Sequence, residues 1–104
     1  MTAEKTYFTD QQVYTASATA LQAIEPSLTY VSGTPTAGAK EVQVVTGNVS
    51  TGATVNGAVI CITGQTSSGK LWSVKDVAAG DNAGTTFSNA AISTCDDSKL
   101  SSSW

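Results

Sequence analysis

The two cysteines, Cys61 and Cys95, constrain this chain more than any other pair of residues. Cys61 sits in the apolar run Ala58-Val-Ile-Cys-Ile-Thr63, and Cys95 follows Ala-Ile-Ser-Thr towards the C-terminus. A bridge between them closes a loop of about 35 residues, worth roughly 4 kcal/mol in the chain-entropy treatment. Net stabilities of single domains are about 5–15 kcal/mol, so this one bond would be a large share. The alternative is a buried thiol at Cys61 and an unrelated one at Cys95. A structural zinc site needs three or four ligands, and the chain has no His and no third Cys to supply them.

Composition favours the bridge. The 104 residues include sixteen Thr and thirteen Ser, and only 12% are charged. The five cationic residues are all Lys and the eight carboxylates leave a net charge of −3, so no Arg-rich basic patch for nucleic acid can be assembled. This acidic, hydroxyl-rich surface fits an extracellular or cell-surface protein, where disulfides persist. It lacks the high charge of a disordered chain. At this length one domain with one modest core is expected over residues 1–104. No apolar run of about 20 residues and no apolar signal core is present. Met1 leads directly into the polar Thr-Ala-Glu-Lys-Thr. For an exported protein, that start predicts a segment upstream of the visible chain.

Hydrophobic spacing changes once along the sequence. Ala3, Tyr7 and Tyr14 stand at i, i+4 and i+11 with Phe8 beside them, which predicts a helix, or the end of a longer one, over residues 1–14. Thr2 is its one candidate N-cap, and the polar residues 1–6 are expected to fray. Residues 15–40 read as a connecting loop with a short helix over Ser17–Glu25, its apolar side at Leu21, Ile24 and Leu28, stopped by Pro26. Ser32 to Lys40 is a loop by composition. Residues 41–77 then alternate with period two. Val42 and Val44 share a face, Ala58 to Thr63 is apolar on both faces, and Trp72 and Val74 point one way. Asn56-Gly57 reads as a turn before the second strand, and Gly64 to Gly69 joins the second strand to the third. Residues 78–104 are mostly irregular, with a last short strand around Thr85 to Phe87. The expected class is α+β: helix first, an antiparallel sheet of three to four strands, and a C-terminal disulfide-bounded loop.

Few residues suggest chemistry. Gly64-Gln-Thr-Ser-Ser-Gly69-Lys70 has phosphate-loop spacing, but Leu71 stands where a magnesium-binding hydroxyl belongs. Strand periodicity also follows where a helix should present its amides. It reads as a polar hairpin loop with no nucleotide. Without His, neither a Ser-His-Asp nor a Cys-His arrangement can be built. Asp96-Asp97 and Asp81-Asn82 offer oxygen ligands without calcium-loop spacing and read as solvated loop residues. Asn48-Val49-Ser50 matches a glycosylation acceptor, a pattern common by chance. Trp72 is assigned to the core, and Trp104 to a packing anchor or a disordered end. No catalytic, cofactor or metal residue emerges, and an enzyme is not expected.

Tyr7-Phe-Thr-Asp-Gln-Gln-Val-Tyr14, followed by Ala20-Leu-Gln-Ala-Ile-Glu-Pro-Ser-Leu28, resembles bacterial type IV pilins where the long N-terminal helix ends. Val59-Ile-Cys-Ile62, Lys70-Leu-Trp72 and Cys95 are similar to the family's central strand, next strand and C-terminal disulfide-bounded loop. The resemblance spans nearly the whole chain and lies in the order of elements. It implies a structural subunit of an extracellular pilus, serving adhesion, twitching motility or DNA uptake. Such subunits join other pilins through an N-terminal apolar helix that also anchors them in the membrane before assembly. That helix is absent here, so this chain is expected to be a monomer. A pseudopilin of a type II secretion system and a small secreted binding module are the alternatives.

Overall fold

A computed structural model describes residues 1–31, 33, 35, 41–50, 55–66, 68–80, 82–90, 92, 94–98 and 100. The Thr2 side chain, most of the Ser32–Lys40 loop, Asp81 and Trp104 lie outside the described residues.

The N-terminal stripe does form a helix, α1 (Thr2–Gln11), but a shorter one than its spacing predicts. Gln12 turns into the left-handed conformation at φ 62°, and its N–H bonds back to the Phe8 carbonyl. Tyr14 is therefore not on the helix. The chain doubles back after Gln12 and delivers Tyr14 to the sheet, where it is buried. The first turn does not fray as a free end either, because Ala3 and Glu4 are both buried. The second helix, α2 (Ala18–Ile24), matches its expected place. The Ser17 hydroxyl caps it by accepting from the Ala20 N–H at 3.3 Å. Leu21 is its buried residue, whereas Ile24 is exposed.

The described strands are β1 (Thr29–Val31), β2 (Glu41–Val49), β3 (Val55–Gln65), β4 (Leu71–Val77) and β5 (Gly84–Ser88), side by side in that order. The sheet has five strands and is mixed, not a purely antiparallel one of three or four. β1, inside the stretch read as loop, pairs parallel with the start of β2. The other pairings are antiparallel. Asn56-Gly57 is not a turn. It lies within β3 as a bulge, because Gly47 pairs with Val59 but Val49 pairs with Val55. Gly57 takes φ 71° there and its carbonyl accepts the Tyr14 N–H at 2.8 Å.

β3 separates two cores, as its two-sided apolar run requires. Ile60 faces the helices with Val44, Ala3, Tyr14 and Leu21, and Phe8, Tyr30, Val42 and Ile62 pack around them. Val59 and Cys61 face the opposite side with Val49, Ala58 and Val77, against Ile92 and Cys95. On β4 the deeply buried positions are Ser73, Lys75, Asp76 and Val77. Trp72 and Val74 share a face as expected but are only half-buried, so Trp72 is a margin residue of the core.

Candidate functional site

The face of the sheet away from the helices carries the C-terminal loop. Cys61, central in β3, is disulfide-bonded to Cys95, with their Cα atoms 5.9 Å apart. Gly47 on β2 is what lets the loop lie so close, since a Cβ there would collide with the Cys95 carbonyl. Beside the bridge, Lys75 pairs in register with Cys61 and is only 1% exposed. Its ammonium donates to the Ser98 carbonyl at 2.9 Å, the Ser98 hydroxyl at 3.3 Å and Asp96 Oδ1 at 3.4 Å. A buried cation is tolerated when its donors are all used, and these three partners use them. Hydrogen bonds from the Ser98 hydroxyl and N–H, with Lys75 nearby, hold the Asp96 carboxyl below its usual range.

Asp97 departs from the sequence reading. It is buried, with its carboxylate accepting from the Ser50 N–H and hydroxyl, each at 3.2 Å. Its carbonyl accepts from the Asn82 amide at 3.0 Å. Further along, the Ser73 hydroxyl donates to the Ala90 carbonyl at 2.7 Å, and the Leu100 N–H to the Thr86 hydroxyl at 3.3 Å. The loop is thus fastened at the disulfide, at Lys75 and at Asp97. The disulfide was legible in the two-cysteine count. Lys75 was not, although it occupies the same period-two face as Ser73 and Val77 and could have been suspected from that.

A second polar cluster joins α1 to β4 on the helix side. Asp76 is 4% exposed and accepts from three donors. Lys5 Nζ lies 2.7 Å from Oδ2, the Tyr14 hydroxyl donates to the same oxygen, and the Thr85 hydroxyl is 2.6 Å from Oδ1. Burial disfavours the Asp76 charge, but the bonds from Lys5, Thr85 and Tyr14 outweigh it and keep the carboxyl below its ordinary value. Burial, reinforced by the Asp76 charge, pushes the Tyr14 hydroxyl up to about 12, so it remains a donor. Lys5 also reaches the Tyr14 oxygen at 3.0 Å. Glu4 is different. Its Oε1 accepts the Thr15 N–H at 3.1 Å, while Oε2 has no partner among the described residues. Burial pushes this carboxyl up to about 7 against the opposing pull of that hydrogen bond and the Met1 ammonium.

The phosphate-loop-like segment is the β3–β4 hairpin, and Leu71 opens a strand rather than a helix. Its amides bond within the turn: Thr66 N–H to the Lys70 carbonyl, Gly69 N–H to the Thr66 carbonyl, and Lys70 N–H to the Thr66 hydroxyl. The Lys70 ammonium lies over the Trp72 ring, 4.6 Å from its centroid. Comparison with protein-family models, curated proteins and solved structures finds no match for this chain.

Proposed function

We propose that this chain is the head of a type IV pilin-like protein, a structural subunit of an extracellular filament that catalyses no reaction. The observation that carries this reading is the order of elements. A helix leads, strands follow, and a C-terminal loop is disulfide-bonded back onto the central strand. Two details suit a subunit held by its N-terminal end. The first turn of α1 is packed into the core through Ala3, and Lys5 ties it to the sheet at Asp76. Pulling on that end therefore loads the central strands rather than a loose tail. The loop on the opposite face, fastened at the disulfide, at Lys75 and at Asp97, is the natural surface for contact with neighbours or host.

The reading calls for an apolar helix of about 20 residues upstream in the gene, as membrane anchor and filament core. Immunogold labelling of intact cells with antibodies to this domain tests it. Gold along surface filaments is expected, together with recovery of the Cys61–Cys95 peptide from sheared filaments. Label confined to culture medium without filaments would instead establish a secreted module.

A further inference from the structure

Two sequence signals have no part in the filament reading, the acceptor pattern at Asn48 and the dipeptide Asn56-Gly57, and the fold brings them together. Between the pairs Gly47–Val59 and Val49–Val55, the single residue Asn48 of β2 faces the bulge Asn56-Gly57-Ala58 of β3. The Gly57 N–H donates to Asn48 Oδ1 at 3.1 Å. On its other side the Gly57 carbonyl holds the Tyr14 N–H, and Val13 stands 3.2 Å from where a Gly57 Cβ would be. The Asn56 side chain itself is exposed.

We propose that Asn56 is a latent deamidation site and that Asn48 is the residue holding it closed. An asparagine followed by glycine is the least hindered setting for attack of the next residue's nitrogen on the side-chain amide. Here the Gly57 nitrogen, losing its proton to solvent base, forms a bond to Asn56 Cγ. The Cγ–Nδ2 bond breaks and ammonia leaves. Water then opens the succinimide at either carbonyl, giving aspartate or isoaspartate at position 56.

Asn48 opposes the first step in three ways. Its oxygen holds the proton that must leave, and its lone pair would face the deprotonated nitrogen. The attacking nitrogen must also turn away from Oδ1 to reach Cγ, so the hydrogen bond has to break before ring closure. Isoaspartate adds a methylene to the main chain inside the bulge. That displaces the Gly57 carbonyl from the Tyr14 N–H, so the lesion is felt at the docking of α1.

The test compares wild type, Asn48→Ala and Asn48→Asp, each confirmed folded by circular dichroism and held at mildly alkaline pH. Peptide mass spectrometry follows conversion of Asn56, and enzymatic methylation detects isoaspartate. Loss of one hydrogen bond of ordinary net strength predicts about fivefold faster conversion in Asn48→Ala. Asn48→Asp keeps an acceptor, now charged, and should convert no faster than wild type. Equal rates in folded wild type and Asn48→Ala overturn the proposal. Should Asn48→Ala not fold, Asn48→Leu, of the same branched shape and without an acceptor, takes its place. If neither folds, amide exchange at Gly57 in wild type decides, because exchange as fast as in an unstructured peptide overturns it too.

Discussion

A carboxylate as deeply buried as Asp76 keeps its charge only because three donors converge on it. Tyr14 contributes both a donor and a ring, which sits 4.7 Å from that of Phe8, and two substitutions separate these roles. Tyr14→Phe removes the hydroxyl's bond to Asp76 and the one it accepts from Lys5, and should cost about 1.5–3 kcal/mol. Tyr14→Ala also empties the core and should cost about 3–5 kcal/mol. Thermal melts followed by circular dichroism check the order, and a Tyr14→Phe variant as stable as wild type would show that the hydroxyl is idle. Glu4 makes the opposite prediction with pH. Its folded carboxyl is raised from 4.5 to about 7, so between those values the native state holds a proton that the unfolded chain has released. Stability then falls as pH rises through that window, by about 3 kcal/mol in all. Glu4→Gln, whose amide is neutral throughout, should abolish this fall and be the more stable protein at pH 8, as denaturant titrations across pH would register. Asp76 and Asp96 act in reverse, since both are held low, and their contribution is lost only at acid pH.

At the scale of elements, the C-terminal loop depends on its fastenings more than on secondary structure. Lys75→Ala leaves the Ser98 carbonyl without its Lys75 donor and a void beside the disulfide, and should cost about 3 kcal/mol. Lys75→Met keeps the packing volume and should cost clearly less. Limited proteolysis of the loop reports the same ranking locally, with cleavage near Ser98 fastest in Lys75→Ala. The bridge itself is checked by alkylation without reductant, which should label neither Cys61 nor Cys95. These elements also show what the sequence could convey. β2 and β4 were legible because alternation over seven or more residues is a strong local signal, and β3 because its run from Ala58 to Thr63 is apolar on both faces. β1 was not, since it has three residues and exists only by pairing with Glu41–Gln43 across the intervening loop. The Asn56-Gly57 dipeptide marks positive φ correctly, but a turn and a bulge demand the same conformation. The inward Lys75 and Asp97 were hidden because charge normally signals solvent, and their partners lie some 20 to 50 residues away, in the loop for Lys75 and at Ser50 for Asp97.

Across the whole molecule, the two cores share one main chain, and that decides how it unfolds. Val59 and Cys61 serve the loop side while Ile60, between them, serves the helix side. β4 is divided likewise, with Asp76 receiving α1 and Lys75 receiving the loop. Neither layer can come away with its core without exposing the back of the strands that hold the other. Unfolding should therefore be a single transition for a monomer at micromolar concentration, as is usual for domains of this size. Tyr14→Ala, on the helix side, and Lys75→Ala, on the loop side, should each lower the same midpoint, by about 10–20 °C for a loss near 3 kcal/mol. Deleting residues 1–6 belongs with them, since it removes Ala3 and Glu4 from the interior and Lys5 from Asp76. Melts read by far-ultraviolet circular dichroism and by tryptophan fluorescence should coincide for all three, with light scattering giving the monomer mass. Two separated transitions in Tyr14→Ala would show that the loop-side core stands without the helices. A dimer that dissociates when Tyr7 or Phe8 is changed would show that the aromatic side chains of α1 form an intermolecular surface rather than the wall of this domain.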